Sequence, residues 1–332
     1  MRAMFPLLVV LFLASVGFLG GGIQDLRTLF AVWVPYAAMA IFLVGFVARL
    51  YRWASSPVPF RIPTTCGQQK SLPWIRANNL ESPHNTLGVA GRMAMEVLLF
   101  RSLFRSSSVQ IQGNRVLYRD HKILWVAAMM FHWSMLLVVV RHSRFFFEPV
   151  PSLVSAVQSV DGFFQFGDPV LYVTTVGFLL GPAYLLTRRL MMPGVRYISL
   201  PSDYFALFLL LGIGATGVVM RHLFHTDVTA VKQLAMGLVT FRPVVPTGAS
   251  PLFFVHLFLV SCLLAYLPFS KLMHMAGVLL SPTRNLANDS RMRRHVNPWN
   301  HPVPLHTFEE WQEEFKDKLE AAGIPLDTEA AR

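Results

Sequence analysis

Six runs of nearly unbroken apolar residues punctuate the chain, at 3–20, 29–50, 122–146, 169–187, 203–222 and 251–280. None alternates apolar with polar at a period of two, so each predicts a helix rather than a strand. Most approach the ~20 residues a helix needs to cross a bilayer. In lipid only helices and closed barrels satisfy their own backbone. The pattern predicts an all-α polytopic membrane helical bundle with six transmembrane helices. The first run has some character of a secretory signal, but "SVGFLGGGI" is a poor cleavage site and the basic flank is Arg2 alone, so a retained span is expected. The last run is long and contains Pro268, a natural kink site.

Between and after the spans lie two polar parts. Residues 51–121 hold a Pro-rich stretch, "SSPVPFRIP", and an amphipathic helix at about 86–104 that mixes apolar and basic residues as interfacial helices do. Residues 281–332 form a tail. Within it, "TFEEWQEEFKDKL" has Thr307 as N-cap and Glu310 three residues on, a capping box. Trp311, Phe315 and Leu319 follow at four-residue spacing, which predicts one short helix offering an apolar stripe to a partner. The organisation expected is two N-terminal spans at 1–50, a cytoplasmic loop at 51–121, a four-helix core at 122–280 and a cytoplasmic tail at 281–332.

Charge adds orientation. Only 14% of the 332 residues are charged, against about 25% in soluble chains. The net charge of +11 would suit a nucleic-acid binder, but the basic residues concentrate in 51–122, 188–202 and 281–294. Six spans put those three segments on one side, as the positive-inside rule requires. The expectation is the inner (cytoplasmic) membrane of a prokaryote, both termini cytoplasmic, with the lipid bilayer and no nucleic acid as partner. Cys66 and Cys262 stand alone, without CxxC or CxxCH. That excludes four-cysteine iron–sulfur or zinc sites and covalent haem, and leaves histidine to carry cofactor chemistry.

Of eleven histidines, His84, His121, His295, His301 and His306 fall in polar segments. His132, His142, His256 and His274 fall within spans, where an imidazole is costly unless paired or ligated. His132 and His142 are ten residues apart, about 15 Å of helix; His256 and His274 are eighteen apart, five turns and about 27 Å. If the third and sixth spans are adjacent they run antiparallel. His142 then faces His256 in the outer half and His132 faces His274 in the inner half. Paired imidazoles on facing helices are how a bundle holds b-type haem. The roughly 12 Å mismatch in rise has to be absorbed by tilt or by the Pro268 bend.

This histidine pattern, over roughly 120–280, resembles the haem-b gamma subunit of respiratory nitrate reductase and the related membrane subunits of heterodisulfide reductase. The tail, "LSPTRNLANDSRMRRHVNPWNHPV" followed by "HTFEEWQEEFKDKLEAAG", is similar to the DsrM family, the membrane haem subunits of complexes associated with dissimilatory sulfite reduction. Six spans suit that family better than the five of the nitrate reductase subunit. The resemblance implies two haem b groups, with His132 and His274 as axial ligands of the inner one and His142 and His256 of the outer one. It also implies menaquinol oxidation near the outer face and electron transfer inward. The receiver would be a cytoplasmic iron–sulfur subunit of heterodisulfide reductase type, within a larger membrane redox complex. Near the outer haem, Arg141 and Arg144 suit either haem propionates or the quinol, and His222 and His225 are proton acceptors or alternative ligands, with Asp227 close by in sequence. The lysine that the nitrate reductase subunit keeps near its quinone has no counterpart placed here. Asp168 and Asp203 each begin a span and fit N-terminal caps better than proton carriers. Two other readings stay open: the same path run in reverse as a quinone reductase, and a non-redox transporter whose histidines bind a transition metal.

Overall fold

The computed structural model describes residues 2–58, 67–162, 170–292 and 302–326. In chain order the helices are α1 (Met4–Gly22), α2 (Val34–Ala54), α3 (Thr86–Leu99) and α4 (Arg101–Phe104). Strands β1 (Ser107–Gln112) and β2 (Arg115–Asp120) follow, then α5 (Lys122–His142), α6 (Ser152–Asp161), α7 (Val173–Met191), α8 (Pro193–Ile198), α9 (Pro201–His222), α10 (Val228–Val239) and α11 (Pro251–Tyr266). The short helices α12 (His274–Gly277), α13 (Pro282–Asn285), α14 (Phe308–Glu314) and α15 (Lys316–Ala321) complete the chain.

The protein is a mostly helical, multi-pass membrane bundle. Among the described residues, five segments are long and apolar enough to cross a membrane: Met4–Gly22, Gln24–Ala54, Lys122–Phe145, Pro201–His222 and Pro251–Phe269. The remaining expected span exists as the 19-residue α7, but it carries Thr174, Thr175, Pro182, Arg188 and Arg189 and is less apolar than the other five.

Small residues set the helix spacing. Lipid tails are as apolar as leucine, so helix contact in a membrane rests on close van der Waals approach rather than on hydrophobic burial. Gly177 and Gly181 of α7 lie against α5, and a Cβ at Gly181 would stand 2.6 Å from the Phe131 Cβ. Gly17 and Gly21 of α1 meet α11 at Val255 and Phe254 in the same way. Three apolar cores result: Phe131, Phe178 and Leu210 join α5, α7 and α9; Val10, Leu209, Val255 and Leu259 join α1, α9 and α11; Phe30, Leu234 and Phe254 join the start of the second span to α10 and α11. Thus α5 packs on α7, α7 on α9, and α9 on α11. The third span meets the sixth run at His132 and His274.

The last span differs. It was expected to be one kinked helix over 251–280. The α-helix instead ends at Tyr266, because Pro268 has no N–H to continue the ladder. Ser270 then turns extended (φ −113°, ψ 176°), and its hydroxyl caps a new 3₁₀ turn by accepting from Leu272 N–H at 3.1 Å. His274 therefore begins a separate short segment. The rise of a continuous helix does not apply beyond Ser270.

Residues 67–121 are more ordered than an interfacial helix alone. The helix forms, capped by the Asn85 side chain, which accepts from Gly88 N–H at 2.8 Å. It is followed by an antiparallel hairpin, with Ser107 opposite Asp120 and Gln112 opposite Arg115, which the sequence reading missed. Glu81 is bound by Arg101 at 2.7 Å and by Arg105, and Glu96 by Arg284 at 2.8 Å. Asn288 Nδ2 donates to Ser82 Oγ at 2.7 Å. The first compact unit therefore extends from Met1 to Asp289, and the second comprises Ser290–Arg332. In the second unit the Thr307–Glu310 capping box forms as expected. The predicted single helix is two, broken at Phe315 (φ −107°, ψ 13°), with the Trp311 ring 5.8 Å from those of Phe308 and Phe315. Cys66, Asp168, Arg293, Arg294, His295, His301 and the "NPWN" turn lie outside the described residues.

Candidate haem site

His132 projects from the middle of α5, and His274 opens the segment beyond the Ser270 break. Their rings stand close and nearly perpendicular, with centroids 5.8 Å apart and planes at 82°. His142 lies at the C-terminal end of α5, and His256 in the first half of α11.

Each imidazole is held by the same device. His132 Nδ1 lies 2.7 Å from Ala128 O, His142 Nδ1 2.8 Å from Val138 O, and His274 Nδ1 2.9 Å from Lys271 O. A carbonyl only accepts, so each Nδ1 carries the proton. His256 Nδ1 lies 2.9 Å from Thr216 Oγ1, whose own hydroxyl faces Gly212 O and Ile213 O at 2.9 Å each. Thr216 therefore donates to those carbonyls and accepts from His256. In all four histidines the tautomer leaves Nε2 unprotonated, the state of an imidazole that ligates a metal, with the outer N–H bond setting the ring's direction.

These residues fit haem b. Two imidazoles on one iron, each with an Fe–N bond of about 2 Å, have ring centroids about 6 Å apart, close to the His132–His274 spacing. Among the described residues no three or more His, Cys, Asp or Glu side chains converge.

The C-terminal end of α5 is built around a carboxylate that the sequence reading did not single out. Asp161, buried at the end of α6, pairs with Arg141 at 2.9 Å and accepts from Thr174 N–H at 2.9 Å and Thr174 Oγ1 at 2.6 Å. The Arg141 guanidinium lies 3.8 Å above the Tyr172 ring, and Arg221 approaches the same ring at 4.5 Å. The Arg141 Nε and Nη1 atoms are buried without a well-directed hydrogen bond among the described residues, so the Asp161 contact is chiefly one of charge. Arg144 instead donates to Gln158 Oε1 at 2.9 Å. His222 has a buried Nε2 with no hydrogen-bond partner among the described residues, whereas His225 is exposed. Asp227 caps α10 by accepting from Thr229 N–H at 2.9 Å. Asp203 caps α9 at its N-terminal end, accepting from Leu200 N–H at 3.0 Å, and pairs with Lys271 at 2.8 Å. Nothing local in the sequence marks Asp161, Tyr172 or Thr216, since each acts through a helix distant in sequence.

Residues 92–292 match the nitrate reductase gamma subunit family. The chain is 46% identical over 285 residues to the Hdr-like menaquinol oxidoreductase cytochrome b-like subunit of Archaeoglobus fulgidus, covering 83% of this chain and 85% of that one. The protein of the same description from Archaeoglobus profundus is 41% identical over 276 residues, covering 80% and 81%. On the extent of both matches, the chain belongs to the nitrate reductase gamma subunit family.

Proposed function

We propose that this chain is the membrane dihaem cytochrome b subunit of a menaquinol-oxidising complex, and that it passes electrons inward to a cytoplasmic iron–sulfur subunit of heterodisulfide reductase type. The observation that carries the proposal is the set of four membrane histidines, each with Nδ1 bonded and Nε2 left free. The description of the two Archaeoglobus relatives supports the menaquinol and heterodisulfide reductase parts. The tail's similarity to the DsrM family supports a role in dissimilatory sulfur metabolism. With α7 as a sixth span of lowest hydropathy, the positive-inside rule supports basic loops and both termini in the cytoplasm.

His132 with His274 would hold one haem, and His142 with His256 the other. When bound, haem supplies a one-electron couple that no side chain of this protein offers. The protein's own residues orient and insulate. The Nδ1–H bonds fix the four rings. Arg141, held by Asp161 and Tyr172, presents guanidinium N–H groups beside His142, where a propionate or a quinol oxygen is stabilised. The free Nε2 of His222 is the acceptor for a quinol proton at the outer face.

A reduced-minus-oxidised absorption spectrum of the purified chain tests this. Two b-type haems per chain are expected. His142→Ala or His256→Ala should lose one, and His132→Ala or His274→Ala the other. Full haem content in all four variants would overturn the assignment. Rapid haem reduction by a menaquinol analogue tests the direction of flow.

A further inference from the structure

We infer that the elbow between α3 and α4, with Phe100 at its apex, positions the axial ligand His132. The inference rests on the haem reading above and extends the site to a segment with no other role in it.

Phe100 lies in the left-handed region, at φ 48° and ψ 47°. A bulky side chain is unfavourable there, and helices that end this way usually use glycine or asparagine. The ring that this strained backbone carries meets the His132 imidazole edge to face, with centroids 4.9 Å apart and planes at 82°. The elbow is fastened on either side of that contact. Trp125 Nε1 donates to Leu99 O at 2.7 Å, and Trp133 Nε1 to Leu98 O at 3.1 Å. Both carbonyls belong to the last turn of α3, where the helix has no N–H of its own left to offer.

Helical spacing puts Trp125, His132 and Trp133 on one face of α5. Ala127, Phe131 and Ser134, which α7 covers, lie on the other. His132 is thus gripped from the elbow while α5 is braced from behind. The bond to Ala128 O holds the imidazole at one atom, and the edges of Phe100 and Phe131 (5.0 Å from His132) restrict its rotation. The 82° relation to His274 is in this sense set from outside the span, by the loop that precedes it.

Phe100→Gly, in the full-length purified protein, separates positioning from simple structure. Glycine relieves the backbone and removes the ring, so a purely structural role leaves stability unchanged or raised and the haem spectra unmoved. Positioning predicts a displaced low-spin EPR signal and a shifted midpoint potential for the haem bound by His132. The other haem should be unchanged, and Phe100→Tyr should return both values to wild type. Trp133→Phe, which deletes one indole bond without touching φ at residue 100, should move the same signal in the same direction. Wild-type values in both Phe100→Gly and Trp133→Phe would overturn the inference alone. A wild-type protein without b-type haem would overturn it together with the haem reading.

Discussion

His132 and His274 come from segments 142 residues apart in sequence, yet their imidazole planes stand 82° apart at a centroid spacing of 5.8 Å. Near-perpendicular axial imidazoles leave the two iron d orbitals that they perturb almost equal in energy. If these two imidazoles ligate one haem, as proposed, its ferric form should therefore give a highly anisotropic low-spin EPR signal. His132→Ala and His274→Ala should abolish that signal and spare the one from the other haem. A rhombic signal typical of parallel imidazoles, assigned to this site by the same variants, would contradict the geometry.

The His274 side of that pair depends on Asp203. Lys271 holds His274 Nδ1 with its carbonyl at 2.9 Å and reaches Asp203 with its ammonium at 2.8 Å. Arg49 donates to Pro268 O at 2.7 Å and steadies the other end of the turn. Removing groups that orient a metal ligand lowers affinity by about 10–100-fold. Because Lys271 is largely exposed, Asp203→Asn should fall at the low end, about tenfold weaker haem retention at His274. Haem transfer to apomyoglobin, followed by absorbance, measures the loss. Asp203→Glu should recover part of it.

The readable parts of this protein were those whose signal runs along the chain. Apolar runs and the 10- and 18-residue histidine spacings are one-dimensional patterns, and they marked the helices and the ligand candidates. The hairpin was readable too. Val109 and Ile111 alternate on one strand, Val116 and Tyr118 on the other, around Gly113–Asn114. Its polar neighbours made it resemble an interfacial loop. The Ser270 break was only half visible. Pro268 marks the place, but the partners of the turn, Arg49 on Pro268 O and Asp203 on Lys271, lie on other helices. Arg141 was visible as an odd charge; its partner Asp161, on α6, became apparent only with the fold.

Glu81 gives a pH-dependent prediction outside the membrane. Burial raises its carboxyl pKa, but the hydrogen bonds and charges of Arg101 and Arg105 outweigh burial and hold it below its ordinary 4.5. A carboxylate with a lowered folded-state pKa stabilises fully above its unfolded value, and the contribution fades as pH falls through the lowered one. Glu81→Gln should destabilise the packing of residues 67–105 by about 2 kcal/mol at pH 7. Hydrogen exchange in that segment should show the difference between variant and wild type shrinking below about pH 4.5. An equal difference at pH 7 and pH 3 would remove Glu81 from this role.

Gly181 tests the spacing on which the haem pair rests. A Cβ there would lie 2.6 Å from Phe131 Cβ and 3.1 Å from its Cα, so neither backbone nor a rigid ring base can yield without moving α5. Phe131 is the residue before His132 and also touches its ring. Gly181→Ala should therefore cost about 2 kcal/mol of overpacking and push α5 away from α7. The same displacement should lower occupancy of the His132–His274 haem more than that of the other. Gly212 provides the control, because a Cβ there meets Val10 and Leu259 only at 3.5 and 3.6 Å, ordinary contact distances. Gly212→Ala should leave both haems at wild-type occupancy in the pyridine haemochrome assay. If the two variants behave alike, the close α5–α7 approach does not govern the site.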